Sequence, residues 1–312
     1  MSGAVPNLGR SSGGPLRSGQ RPDAERRRIL EWAAVHRRDL PWRRTRDPWA
    51  VLVSEVMLQQ TQVERVVPRW IAFLDRWPST AACAASPLGE VLIEWQGLGY
   101  PRRARALHAT AQLVQGAHGG RFPDDLDALL ALPGIGPYTA RAVLAFAFEA
   151  DVAVLDTNVG RILARRDGVA LSQRRAQQRA DAWLPSGEGW AWNQGLLDVG
   201  ARHCRPRTPQ CGGCPVSRAC SWHQAGHPDA DPATGSAAVS RPQARFEGSA
   251  RQARGRVMAA LARGPVELAV VTASIGWHDR DDTANEVDAI IESLLADGLA
   301  VLDEHGQLTL PG

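Results

Sequence analysis

The chain has 312 residues, 44% hydrophobic and 22% charged, enough to bury the core of one large or two modest domains and too apolar for wholesale disorder. No apolar run reaches the roughly 18 residues that cross a bilayer, so an integral membrane protein is not expected. All 36 basic residues are arginine, and without lysine no side-chain amine can form a Schiff base. Charge is uneven: residues 1–225 carry 29 Arg against 20 acids, and residues 226–312 carry 7 against 13. The first part suits a polyanion and the last does not.

Residues 1–22 are mostly Gly, Ser, Pro and Arg without an apolar centre, which reads as a disordered tail and not a secretory signal. A cytoplasmic protein is expected. Residues 23–76 carry helical patterns. One long apolar-periodic stretch runs from Trp49 to Val67, with Asp47 as its N-cap, Pro48 in its first turn and Pro68 as its stop. Two short helices are expected in 87–117 around Gly97-Leu98-Gly99, and helix, glycine turn, helix in 124–148. Helices continue over 157–167 and 172–184, and strand alternation is scarce, so residues 23–223 read as one all-α domain. Residues 224–245 have linker composition. Residues 246–312 predict helices near 249–262, 266–275 and 284–297, then a hairpin turning at Glu304-His305-Gly306: a small, acidic, winged-helix-like domain.

Five features carry chemistry. Cys204, Cys211, Cys214 and Cys220 crowd one Pro- and Gly-rich loop, where four thiolates can hold either a tetrahedral zinc or a [4Fe–4S] cluster. Cys83 sits among alanines and reads as core. In Leu132-Pro133-Gly134-Ile135-Gly136-Pro137-Tyr138-Thr139, two glycines join two helices, and amides at the start of the second face outward as an anion site. That is a helix–hairpin–helix, which grips DNA phosphate without reading sequence; an ordinary helix turn is the alternative. Glu55 has apolar neighbours on both sides, so burial should raise its pKa toward that of a general acid, unless it lies on a polar helix face. Asp156 precedes a helix and is either its N-cap or the second carboxylate of a glycosyl-transfer pair. Gln59, Gln60 and Thr61, and the two tyrosines Tyr100 and Tyr138, could wedge or stack against bases, with a solvated helix face or core packing as alternatives.

Together these residues resemble the helix–hairpin–helix DNA glycosylases with an iron–sulfur loop, and within them the A/G-specific adenine glycosylase (MutY) family. The carrying segments are Leu40 to Arg43, Ser54 to Val63, Gly97 to Tyr100, the hairpin at 132–140, Leu155 to Val159 and the four cysteines, within roughly residues 25–222. The resemblance implies that Glu55 protonates adenine and Asp156 stabilises the sugar cation, with Tyr138 and Asn158 holding the carboxyls. It implies that Trp42, Arg43 and Leu58 shape the adenine pocket, and that Gln60 and Tyr100 wedge beside the opposite base, 8-oxoguanine. Gly134, Gly136, Thr139, Arg205 and Arg207 would meet phosphates, and Cys204, Cys211, Cys214 and Cys220 would hold a [4Fe–4S] cluster. The implied partner is double-stranded DNA with A opposite 8-oxoguanine or G, bound by a monomer.

Endonuclease III-like relatives carry a lysine where this chain has Tyr138, so a monofunctional enzyme is expected, one that removes the base and leaves the strand intact. Two departures stand out. Pro101 follows Tyr100 where a second aromatic is common, and residues 246–312 are too few and too helical for the Nudix-like domain that many members use to recognise 8-oxoguanine. DNA should repel this acidic part, which is expected to be a packing or protein-contact module. Two rival functions are a thymine or uracil mismatch glycosylase and a non-enzymatic iron–sulfur or zinc DNA-binding regulator. The first has no use for N7 protonation, and the second needs neither carboxyl.

Overall fold

The computed structural model describes residues 20–236, 245–275 and 283–312. The rest of the expected tail (1–19) and the middle of the expected linker (237–244) lie outside the described residues. The fold is helical, with one two-stranded hairpin among the described residues. The chain forms two compact units, residues 38–157 with 238–312 and residues 1–37 with 158–237.

The first unit is built on α2 (Pro48–Leu58). The Asp47 carboxylate accepts the Trp49 amide at 3.0 Å, and Pro48 takes the first helical position, as the sequence suggests. Every residue from Trp49 to Met57 is buried, Glu55 included. The expected single helix up to Pro68 does not form. Helix α2 ends at Leu58, Gln60 takes a left-handed φ of 58°, and α3 (Val63–Arg76) carries Pro68 inside it. The cause lies far along the chain. The Arg103 guanidinium donates to the carbonyls of Val56 (2.7 Å) and Gln59 (2.6 Å), so the end of α2 is capped by a side chain and has no need to continue.

Helices α4 (Thr80–Ala84), α5 (Leu88–Glu94) and α6 (Arg102–His118) follow. The hairpin is α7 (Leu126–Leu130), a glycine turn, and α8 (Pro137–Ala147). Gly134 has φ 72°, and a Cβ there would lie 2.6 Å from the Ala106 side chain, so only glycine fits. The Thr110 hydroxyl donates to the Pro133 carbonyl at 2.8 Å and fixes the turn to α6.

In the second unit α1 (Gln20–His36) packs on α11 (Gly189–Arg202), a helix the sequence reading left out. They meet closely: a Cβ on Gly195 would lie 2.8 Å from Ala33. Helices α9 (Thr157–Asp167) and α10 (Gln173–Trp183) lead toward the cysteine loop, which ends at the single turn α12 (Ser221–Gln224).

The C-terminal segment belongs to the first unit. It comprises α13 (Ala250–Leu261), α14 (Leu268–Ile275), α15 (Thr283–Ala296), β1 (Val301–Leu302) and β2 (Leu308–Thr309). The strands are antiparallel with Val301 opposite Thr309, and Val266 bridges Leu308. This is the element order expected from the sequence. The segment docks on α5 and α6. The Gly89 amide donates to the Pro311 carbonyl at 2.8 Å, Arg102 pairs with Asp297 at 2.5 Å, and Gln96 donates to the Met258 carbonyl at 3.3 Å.

Candidate active site

Glu55 is only 4% exposed, enclosed by the apolar stretch of α2. The Tyr138 hydroxyl, from the first turn of α8, donates to Glu55 Oε2 at 2.7 Å. Loss of water pushes the Glu55 carboxyl up to about 7; the Tyr138 hydrogen bond opposes this, the Asp156 charge adds to it, and the Arg43 cation again opposes it. Tyr138 is itself pushed well above its ordinary value by burial and by the two carboxyls, so its hydroxyl remains a donor. Asp156, half-buried, closes the run from Ala153 to Leu155 just before α9. Glu55, raised by burial and further by the Asp156 charge, can hold a proton near neutrality and give it up.

Arg43 and Trp42 are also buried. Trp42 packs edge-on against Trp70, with centroids 6.0 Å apart, and Arg43 donates to the Arg38 carbonyl at 3.0 Å. Leu58, half-buried, is the last residue of α2. Thr139 is buried, and its hydroxyl accepts from Gln59 Nε2 at 3.4 Å, so its side chain is turned away from any phosphate. The first turn of α8, after Gly134 and Gly136, leaves backbone amides without helical partners. A cavity of about 310 Å³ opens between α2, α6 and the hairpin turn, but Glu55, Tyr138 and Asp156 do not line it.

The two expected wedge residues are brought together by one cation. Gln60 is exposed and Tyr100 half-exposed, with left-handed φ values of 58° and 50°. Between their turns lies Arg103, which donates to the Gln59 carbonyl on one side and to the Leu98 and Gly99 carbonyls, each at 2.9 Å, on the other. Burial lowers its pKa to about 10, still far above neutrality. The sequence reading missed Arg103, because it closes turns more than 40 residues apart.

In the other unit, Cys204, Cys211, Cys214 and Cys220 line one small cavity. Burial is the main cause pushing Cys211, Cys214 and Cys220 up, Cys214 to about 12, and the neighbouring thiols add to it. Four thiolates gathered here require a cation, so the donor set fits a cluster or a zinc ion. Two arginines of α9 hold the loop. Arg165, 2% exposed, donates to the carbonyls of Arg205 (2.8 Å) and Pro206 (2.9 Å), and pairs with Asp231 at 2.5 Å. Arg161 donates to the Cys204 carbonyl and, at 2.7 Å, to Asn158 Oδ1. Asn158 packs tightly on Gly200, where a Cβ would lie 2.4 Å from its own. The side chains of Arg205 and Arg207 are exposed. Ligand atoms of Cys211, His223 and His227 also lie within 4.8 Å of one another, a grouping not anticipated from the sequence. Arg161 and Arg165 carried one weak sequence signal, their spacing of four along a helix.

Residues 53–185 match the model of the HhH-GPD superfamily base excision DNA repair proteins. The adenine DNA glycosylase of Mycolicibacterium smegmatis is 40% identical over 289 residues, covering 91% of this chain and 95% of that one. The chain belongs to the adenine DNA glycosylase family. The Mycobacterium tuberculosis (strain H37Rv) member is also 40% identical over 91% of the chain, and the human one is 38% identical over 63% of the chain and 39% of its own length. Among solved structures, a thermostable thymine-DNA glycosylase superposes with a TM-score of 0.64 at 31% identity, over 67% of this chain and 99% of that one. Endonuclease III, in a trapped covalent complex with DNA, does so at 0.59 and 22% identity, over 69% of this chain and 100% of that one, a likeness of fold alone. The mycobacterial matches run well beyond the superfamily model, so they reach past the hairpin and past the cysteine loop.

Proposed function

We propose that the protein excises adenine mispaired with 8-oxoguanine or guanine in duplex DNA, hydrolysing the N-glycosidic bond and leaving an abasic site in an intact strand. The observation that carries this is Glu55, buried beside the Tyr138 hydroxyl with its carboxyl raised to about 7, so that it holds a proton at neutral pH. The adenine leaves the base stack to reach such a site, at a cost of a few kcal/mol that is lower in a mismatch. Glu55 gives its proton to N7 of the adenine. The bond between C1′ and N9 then breaks, and its electron pair leaves with the base. The ionised Asp156 stabilises the positive sugar. Water adds to C1′ and its proton is released. Tyr138 stands where an imine-forming lysine would be needed to cut the strand, and the chain has no lysine at all.

Cys204, Cys211, Cys214 and Cys220 would hold a [4Fe–4S] cluster, which supplies structural order and no reacting group. The loop then presents Arg205 and Arg207 to phosphates; in the other unit the amides after Gly134 and Gly136 do the same. The protein acts as a monomer. A second reading, removal of thymine opposite guanine, draws on the 31% identity to the thymine-DNA glycosylase structure. It gives the Glu55 proton no N7 to meet, since a pyrimidine has none. Single-turnover base release from duplexes holding A opposite 8-oxoguanine, A opposite G, T opposite G and U opposite G separates the two. Release of adenine, with strand scission only after alkali, is the expected result. Release of thymine or uracil in its place, or scission without alkali, overturns the reading.

A further inference from the structure

The charge of the C-terminal segment is segregated. Residues 245–263 carry Arg245, Arg251, Arg254, Arg256 and Arg263 against the single acid Glu247. The acids of the segment lie almost entirely after them, from Glu267 onward. One of these arginines is set against the Tyr100 turn. Arg251, in the first turn of α13, donates to the Tyr100 hydroxyl at 3.1 Å. Its guanidinium lies 6.0 Å from the Tyr100 ring centre and 5.2 Å from that of Phe246. Arg103 also neighbours Tyr100, at 5.4 Å from the ring. Phe246 is 54% exposed, so its ring is open to a partner. The segment is anchored for this purpose by Asp297, which pairs with Arg102 of α6 and with Arg254 one turn along α13 from Arg251.

The geometry points to a composite nucleobase-facing surface, Tyr100–Arg251–Phe246, through which the C-terminal segment helps the wedge engage the base opposite the excised adenine. Two aromatic rings, each within 6.0 Å of one guanidinium, suit stacking on an unstacked base, because every base has a π-face and the cation strengthens the contact. Arg251 acts as a positioning residue: its hydrogen bond fixes the Tyr100 ring on a turn whose left-handed backbone leaves the ring direction to the side chain's partners. Phe246 adds a second stacking face. The acid next to Phe246, Glu247, is paired with Arg245, and Asp297 is paired with two arginines, so neither opposes this. The inference rests on the adenine-excision reading for its choice of base, and the experiment keeps the two separable.

The test uses the full chain and a duplex with a non-cleavable abasic analogue in place of the adenine. A 2-aminopurine next to the opposite base reports its unstacking by fluorescence, whichever base the enzyme excises. Arg251→Ala and Phe246→Ala are each expected to reduce the fluorescence rise at saturating protein by at least half, with Arg251→Lys retaining most of it. In single-turnover assays the same two alanine variants are expected to lower the ratio of adenine release opposite 8-oxoguanine to release opposite G by about fivefold, the lower end of what one base–aromatic stack is worth. Thermal midpoints within a few degrees of the parent show that the segment still docks. An unchanged fluorescence rise in folded variants overturns the inference. So does an equal loss on both adenine duplexes, which marks a structural role only. A normal fluorescence effect without adenine release overturns the excision reading and leaves the surface standing.

Discussion

The two units bury ionisable groups in opposite ways. Glu55 in α2 has the Tyr138 hydroxyl as its close donor and a distant balance of Arg43 against Asp156, so it answers burial by keeping its proton. Arg165 in α9 is as deeply buried yet stays charged, because two carbonyls and the Asp231 carboxylate receive its guanidinium. A buried charge survives where its hydrogen-bonding capacity is met, and otherwise the group becomes neutral. The first solution leaves a proton on a carboxyl near neutrality. The second builds a rigid bracket around a loop that has no regular structure of its own.

The largest effect should follow from removing the stored proton. Glu55→Gln keeps the shape of α2 but not the acid, and base release should fall by about 10³-fold or more, with binding to mismatched duplex retained. The same variant should gain stability in alkali. The Glu55 carboxyl is neutral in the folded protein up to about 7 but ionises in the unfolded chain near 4.5, so stability falls as pH rises between these values. The 2.5-unit difference sets an upper bound of about 3 kcal/mol. Melting temperatures at pH 8 should therefore rise in Glu55→Gln, and at pH 4 they should match the parent.

Breaking the bracket comes next. Arg165→Ala leaves Asp231 without its cation and two carbonyls of the cysteine loop without a donor, at a cost of about 3 kcal/mol. Iron or zinc content per chain should fall with it, while Arg165→Lys, which cannot reach all three partners, should fall between. Metal retained in full by a stably folded Arg165→Ala would show that the loop orders itself. Gly134→Ala should cost about 2 kcal/mol, because the methyl meets Ala106 at 2.6 Å and the backbone has a left-handed φ of 72°. DNA affinity should weaken with it, and chemical denaturation with a binding titration reads both. The smallest effect should come from Tyr138→Phe. Its hydroxyl lowers the Glu55 pKa, so its loss should raise that pKa, moving the alkaline limb of base release to higher pH.

What the sequence made legible was local. The spacing of the four cysteines, the Gly-x-Gly of the hairpin, and a carboxylate flanked by apolar residues each express one short-range constraint, and each stands where the sequence reading put it. The end of α2 was not legible. Apolar periodicity runs on through Val67, and the break at Gln60 is set by Arg103, from more than 40 residues away. The same holds for Arg161 and Arg165, whose partners lie around Cys204 and Asp231. In a chain whose basic residues are all arginine, nothing local marks the few whose guanidinium is buried. Thr139 shows the converse: its place in the hairpin turn was legible, but the inward direction of its hydroxyl depends on Gln59.

The central claim, that a proton stored on Glu55 drives base loss, is tested most directly by the pH dependence of single-turnover adenine release. Adenine opposite 8-oxoguanine in duplex DNA, with protein in excess, is the substrate. The rate should be level in mild acid and fall as pH rises through about 7, approaching tenfold per unit beyond it, as the Glu55 carboxyl empties. A rate that stays level from pH 6 to 9 would contradict the account.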